Sequence, residues 1–431
     1  MQIKRDDAVY WVIVGYTLLN AIPLKSANAL VTLLLVIAYC VIFPKTLLTK
    51  RVILSGVLLV INLAHIFYLK SEAYTVNIPG YVWGFLTHAP FALLLFKNPL
   101  TKFSDDLRFR VNKFFSIYII VQFVLGVIQF VLSGNVDCVC GTFGLLDFRT
   151  GNITISQVWF TFNILGICFY LISQKDLNKL GFVSVLIGFI TVVLAQSGHQ
   201  LIFLCLPMAI LLSRYLTNIK LLFVSIAAGT IVVVSAIILV PETYSVGVSW
   251  FERIVQNDNS PKKASVQKTL DWHTAEPTAV VFGLGFGQYL TRASMIASNV
   301  MNSKRKLPAS ISGHSTFARD FEVPMKKMLE RGEGSAMSKP YFSLLNLYSE
   351  FGVLGVLSLI GYLIYVGIKG ILNKNPFTTF HLSTIAFLIA CSAIENYFEF
   401  TQALIIPFLL ITLTSNNTIP ISKDRKSEVA K

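Results

Sequence analysis

The sequence predicts an all-α protein that crosses a membrane about twelve times, since runs of about 20 apolar residues, the length that spans a bilayer core, recur along the chain. Hydrophobic residues make up 54% of the 431 residues and charged residues only 13%, whereas a soluble domain carries roughly 25% charged residues. The mean hydropathy of +0.66 agrees with this class. These observations indicate a polytopic helical membrane protein.

Apolar segments separated by charged residues or turn signals are the predicted spans. The first nine are joined by short connections, a long polar segment follows, and three further spans complete the pattern. The chain is therefore predicted to divide into spans one to nine (1–240), a large loop (241–340), the last three spans (341–415) and a cytoplasmic tail (416–431). The predicted spans are 8–23, 28–44, 52–69, 81–96, 114–133, 156–173, 180–196, 199–213, 221–240, 341–367, 377–395 and 400–415.

Basic residues are distributed unevenly among the connections. With the N-terminus in the cytoplasm, 20 of the 36 Lys and Arg residues fall on the cytoplasmic side, and the short loops opposite hold only Lys25, Lys70 and Arg149. Cytoplasmic loops are enriched in positive residues, whereas long loops cross a membrane largely regardless of charge. The net charge of +14 therefore reflects membrane topology, and a nucleic-acid partner is not expected. The large loop is predicted to be extracytoplasmic.

The loop at 241–340 is unusually long, and long connections in compact folds are commonly functional or disordered. It carries a turn signal at 257–261 and three alternate glycines, Gly283, Gly285 and Gly287. Glycine permits tight turns and close approach of the backbone to other groups. We therefore expect part of this loop to fold and to carry function.

The helix predicted after the loop places polar residues on one face. Ser343, Asn346 and Glu350 are spaced i, i+3 and i+7, which puts them on the same side of a helix. An ionisable residue inside a span is costly and is a functional candidate, although a polar outer end of a packed helix is the alternative. Small residues recur every third position after Glu350 and predict close helix packing. They are Gly352, Gly355, Ser358 and Gly361.

Several short motifs follow one another across the loop and the start of this helix. They are Trp250-Phe251-Glu252-Arg253, Leu270-Asp271-Trp272, Val281-Phe282-Gly283-Leu284-Gly285-Phe286-Gly287 and Asn346-x-x-x-Glu350-x-Gly352-x-x-Gly355. In this order, on a large loop between late spans, they resemble the O-antigen polymerase and ligase family of bacterial membrane glycosyltransferases. The resemblance covers residues 190–355 and the general layout of spans.

The resemblance implies a polymerase in the bacterial inner membrane that joins oligosaccharide repeats carried on undecaprenyl pyrophosphate at the periplasmic face. O-antigen, capsule and exopolysaccharide remain open as products. The implied partners are the lipid-linked oligosaccharides, membrane lipids and, as a candidate, a chain-length regulator. No cofactor and no metal are expected, because the extracytoplasmic loops carry no Asp-x-Asp motif of the kind that binds a metal-bound nucleotide sugar.

The sequence departs from the family at two places. The position of the ligase histidine, eleven residues before Gly352, is occupied by Tyr341, which favours a polymerase over a ligase. The family's Ser-Arg pair is replaced by residues 196–200, where His199 is the one basic candidate.

Candidate site residues follow from the chemistry of glycosyl transfer. An anionic lipid pyrophosphate departs, and the planar fork of Arg suits it, while a base can deprotonate the acceptor hydroxyl. The predicted catalytic residues are Arg253, Glu350 and His314. The predicted substrate-binding residues are Arg292, Arg319, His199, His273, Trp272, Tyr341 and Asn346. Solvated surface charges, structural histidines and an interfacial belt of aromatics such as Trp250 and Tyr289 are the alternative interpretations.

Two rival functions fit the same spans. A flippase for lipid-linked oligosaccharides, or another transporter, also has many helices, but transporters commonly show repeated halves and broken helices at mid-membrane, and no repeated half is visible here. The ligase branch of the family is the second rival.

Overall fold

A computed structural model of the protein describes residues 2–22, 28–47, 49–100, 103–134, 138–144, 154–174, 177–195, 198–213, 261–289, 291–300, 307–319, 321–322, 342–372 and 375–415. Within these ranges the chain is helical and contains no β-strand. The all-α prediction is therefore confirmed for the described part of the chain.

The α-helices are numbered in chain order, and 3-10 turns occur between some of them. They are α1 (Gln2–Asn20), α2 (Asn28–Ile42), α3 (Lys50–Ser71), α4 (Ile78–Thr87), α5 (Phe91–Leu95), α6 (Asp105–Ser133), α7 (Thr154–Ile172), α8 (Lys179–Leu194), α9 (Gly198–Phe203), α10 (Cys205–Ser213), α11 (Pro261–Ala275), α12 (Pro277–Phe282), α13 (Arg292–Ala297), α14 (Ser343–Leu372), α15 (Thr378–Ser392) and α16 (Thr401–Thr414).

Three of the described helices, α3, α6 and α14, are long and apolar enough to cross a membrane, and shorter apolar helices accompany them. Two predicted spans are each broken into two helices. The span predicted at 81–96 is interrupted between Thr87 and Phe91, where Pro90 lacks the N–H that continues a helix. The span predicted at 199–213 is interrupted at Leu204, because Pro207 cannot donate to the carbonyl of Phe203. The span predicted at 221–240 lies outside the described residues.

The connections predicted to be cytoplasmic meet at one end of the helices. The backbone N–H of Lys97 donates to the carbonyl of Thr46 at 3.0 Å. The amide of Asn375 donates to the carbonyl of Thr414 at 2.9 Å. Arg110 forms an ion pair with Asp7 at 2.6 Å.

The described part of the large loop packs at the opposite end, against the connection between α3 and α4. The N–H of Thr316 donates to the carbonyl of Thr75 at 2.9 Å, and the Gln288 amide donates to the carbonyl of Asn77 at 2.8 Å. The Tyr74 hydroxyl lies 2.7 Å from Glu276. The loop is therefore folded onto the ends of the helices.

The core and the outer faces of the bundle differ in burial. Every residue of α16 is buried, so this helix is central. In contrast, α3, α6 and α14 expose large apolar side chains, for example Val60, Val131 and Leu357. Exposed apolar faces on membrane-length helices are the expected contact with lipid chains.

Candidate functional site

The helix after the large loop is kinked beside its buried acid. Gly352 has φ 61° and ψ −159°, which interrupts α14. Carbonyls within one turn before such a break lose their i+4 partners. The loop supplies replacements, since the N–H of Leu284 donates to the Ser349 carbonyl at 2.6 Å and the N–H of Gly285 donates to the Glu350 carbonyl at 3.2 Å.

The three glycines of the loop make this docking feasible. Gly283, Gly285 and Gly287 have φ values of 78°, 104° and 71°, in the region that favours glycine. A Cβ on Gly283 would lie 2.1 Å from the carbonyl carbon of Glu350, and one on Gly287 would lie 2.1 Å from the carbonyl oxygen of Gly80. The predicted tight turns and close backbone approach are therefore confirmed.

Asn62, from the middle of α3, forms hydrogen bonds with both the loop and the kinked part of α14. Its side-chain amide donates to the carbonyls of Phe282 at 3.1 Å and Glu350 at 3.0 Å. Its side-chain oxygen accepts from the N–H of Phe286 at 2.9 Å. One buried side chain thus joins a membrane-length helix, the loop and the kink.

The Glu350 carboxyl group is buried, with 1% of the residue exposed. It accepts a hydrogen bond from the N–H of Tyr289 at 3.4 Å, and it also receives the N–H of Gly287 and the hydroxyl of Thr291. Donors from residues 287–291 therefore surround the carboxylate.

A second buried acid, Glu399, lies in electrostatic contact with Glu350. It ends the 3-10 turn between α15 and α16 and is 1% exposed. Its carboxylate accepts from the N–H groups of Arg292 at 2.6 Å and Ala293 at 3.1 Å, and from the side-chain amide of Asn396. Residues 287–293 thus hold both acids, which we call the carboxylate pair (Glu350 and Glu399).

Asn346 lies on the same helical face, one turn before Glu350. It is 5% exposed, and neither atom of its side-chain amide has a hydrogen-bond partner among the described residues. Ser343, one turn earlier, contacts Asn396 at 3.2 Å and receives the N–H of Phe398 at 2.8 Å. The predicted polar face therefore faces the turn that carries Glu399.

Arg292 is a predicted cation whose backbone contacts the pair. Its backbone N–H is bound by Glu399, and its guanidinium lies 5.8 Å from the ring centre of Trp159 and 5.9 Å from that of Phe400. Such cation–π contacts hold a guanidinium in place.

Other predicted site residues belong to the core of the loop. His273 is 4% exposed, and its ring packs edge-on against Tyr348 at 4.6 Å. Burial lowers the pKa of His273, so this side chain is neutral at pH 7. Trp272 packs on Tyr74 and Phe317. Tyr289 is fully buried, so interpreting it as part of an interfacial belt is wrong.

The remaining predicted residues are not joined to the carboxylate pair by any described contact. His314 is exposed and lies 2.9 Å from Glu322, and Arg319 is exposed. Arg253 and Tyr341 lie outside the described residues. His199 is the second residue of α9, but its side chain is outside the described part of the structure.

Two residues of this site were not assigned a role from the sequence, namely Glu399 and Asn62. Both could have been noticed in the sequence, because Glu399 is an acid between two apolar segments and Asn62 is an amide inside another. Placing either group in a membrane costs free energy unless it has buried partners. Their partners are 107 and 220 positions away in the chain, so spacing could not identify them. Among the described residues, no group of three or more His, Cys, Asp or Glu side chains is arranged to hold a metal ion.

Comparisons with protein-family models, curated proteins and solved structures give no match to this chain.

Proposed function

We propose that this protein is a membrane glycosyltransferase that polymerises oligosaccharide repeats carried on undecaprenyl pyrophosphate. In this proposal the chain crosses the bacterial inner membrane about twelve times, with the large loop in the periplasm. The observation that supports it is the carboxylate pair, which is held by loop donors that include the backbone N–H of Arg292. Buried acids inside a membrane protein are typical of functional sites.

The proposed reaction needs one proton acceptor and one anion-binding group. Glu350 accepts the proton of the acceptor hydroxyl while the oxygen of that hydroxyl attacks the anomeric carbon of the donor. The bond from that carbon to the pyrophosphate oxygen breaks, and the lipid pyrophosphate leaves with the electron pair. Arg292, together with Arg253 outside the described residues, neutralises the departing anion. Metal ions and cofactors have no role in this scheme.

Positioning is assigned to the neighbouring polar groups. The Asn346 amide, which has no hydrogen-bond partner among the described residues, is suited to a sugar hydroxyl, because it offers both donors and an acceptor. Glu399 fixes the backbone of Arg292. Since His314 is exposed and already paired with Glu322, Glu350 is the better candidate for the base.

Transport of a lipid-linked oligosaccharide is the second candidate. The break at Gly352 in a membrane-length helix, directly after a buried acid, favours it, because transporters bind substrate at discontinuous helices.

Purified protein in detergent separates the two. It is mixed with lipid-linked repeat units, and the products are sized on a gel. Polymerisation predicts a ladder of longer glycans without any membrane compartment, whereas a transporter leaves single repeats. A ligase would instead need lipid A–core as acceptor, so an otherwise identical reaction containing lipid A–core identifies that branch.

A further inference from the structure

A basic cavity lies at the end of the helices opposite the carboxylate pair. It lies between the beginning of α3 and the end of α14 and is partly open to the surroundings. Its lining contains two cations, Arg51 and Lys369, two tyrosines, Tyr362 and Tyr365, and no acidic residue among the described side chains.

Tyr365 joins the two cations. The Arg51 guanidinium donates to its hydroxyl at 3.1 Å and stands 4.9 Å from its ring centre, and the Lys369 amine lies 5.7 Å from the same ring. Arg51 also donates to the carbonyl of Leu94 at 3.5 Å. Among the described residues neither cation has a carboxylate partner. Lys369 also forms a hydrogen bond with Tyr365, and with respect to the described residues the other N–H groups of both cations are available to an anion.

The surroundings of the cavity are apolar on the outside. Leu54 on α3 and Ile368 and Leu372 on α14 are exposed by 62%, 53% and 75%. Both helices are long and apolar enough to cross a membrane. A ligand that reaches the cations from the side therefore passes along apolar helix faces, as the chains of a lipid do.

We propose that this cavity binds the headgroup of an anionic phospholipid. The phosphodiester lies between Arg51 and Lys369 and accepts from their N–H groups, and the acyl chains lie along the exposed faces of α3 and α14. Basic pockets between membrane helices on the cytoplasmic side bind acidic headgroups in this way. The proposal is independent of the glycosyltransferase function, because none of its residues belongs to the carboxylate pair.

Lipid binding to the purified full-length protein tests the proposal. The protein in neutral detergent is titrated with phosphatidylglycerol, phosphatidylcholine or inorganic phosphate, and bound lipid is counted by native mass spectrometry. We expect one phosphatidylglycerol to be retained preferentially, and about a fivefold loss of affinity in each of Arg51→Gln and Lys369→Gln. Lys70→Gln, an exposed residue at the other end of α3, is the matched control and should bind as wild type does.

Three results overturn the proposal. They are equal retention of phosphatidylcholine, unchanged phosphatidylglycerol binding in both variants, and inorganic phosphate binding as tightly as the lipid. Arg51→Lys keeps the positive charge and removes the planar guanidinium. Binding by this variant that lies between wild type and Arg51→Gln therefore supports a contact of the phosphodiester with two guanidinium N–H groups. Unfolding midpoints of all variants without lipid are measured together, and a variant is compared only when its midpoint equals that of Lys70→Gln.

Discussion

Replacing Gly352 by Ala should separate the loop from the kinked helix. The φ of 61° and ψ of −159° belong to a region that costs a residue with a side chain about 1–3 kcal/mol. In addition, the new Cβ would lie 2.5 Å from the carbonyl group of Val281, so the backbones must move apart. The hydrogen bonds from Leu284 and Gly285 then weaken, at about 1 kcal/mol each. We expect the free energy of unfolding to fall by about 4 kcal/mol in total.

Unfolding in mixed detergent micelles, followed by circular dichroism, measures this change. Gly361→Ala is the matched control, because Gly361 lies in the same helix and a Cβ there meets no atom of the described residues within 4 Å. This control should be neutral or stabilising by up to about 1 kcal/mol, since Ala is the better helix former. If Gly352→Ala and Gly361→Ala unfold alike, the docking of the loop onto the kink is wrong.

Two further predictions concern the same region. Asn62→Ala leaves the carbonyls of Phe282 and Glu350 and the N–H of Phe286 without their partner. It should lower the free energy of unfolding by about 3 kcal/mol. A loss below about 0.5 kcal/mol would contradict the three hydrogen bonds assigned to Asn62. The second concerns pH. Because burial lowers the pKa of His273, the unfolded chain binds the proton more readily, so stability is full above about pH 6.5 and falls as the pH drops below it. His273→Gln should reduce this loss between pH 7.5 and pH 5.5, and an unchanged profile of unfolding midpoint against pH contradicts the assignment.

The helices could be predicted from sequence because apolar runs specify them locally. The predicted span at 52–69 corresponds to α3 and that at 377–395 to α15, with ends that differ by a few residues. Their exact ends depend on caps, such as the Thr49 side chain that receives the N–H of Val52.

The kink could not be predicted, because its cause is distant in the chain. The small residues from Gly352 to Gly361 were interpreted as a packing stripe. At Gly352 the predicted close approach is present, because a Cβ there would lie 2.5 Å from the carbonyl group of Val281, but this residue also breaks the helix. At Gly361 a Cβ would meet no atom of the described residues within 4 Å. The break depends on Leu284 and Gly285, whose N–H groups replace the helical hydrogen bonds, and no local pattern around Gly352 encodes that contact.

The candidate site was predicted in part. Glu350 and Asn346 are visible from helical spacing and from the cost of burying polar groups in a span. The partner acid Glu399 is not, because it approaches Glu350 only when the 3-10 turn before α16 packs against residues 291–293. His314 illustrates the opposite case, since residue type alone suggested a base and the structure pairs it with Glu322 at the surface.

The most direct test of the central claim is the rate of glycan extension by purified Glu350→Gln. This substitution keeps the shape of the side chain and one carbonyl oxygen as acceptor, but it removes the carboxylate that takes the proton. The account predicts a fall in kcat of about 10²–10⁴-fold, with an unfolding midpoint near that of wild type, while Glu72→Gln at an exposed position extends glycans normally. Extension by Glu350→Gln at the wild-type rate, or the absence of extension by folded wild-type protein, would contradict it.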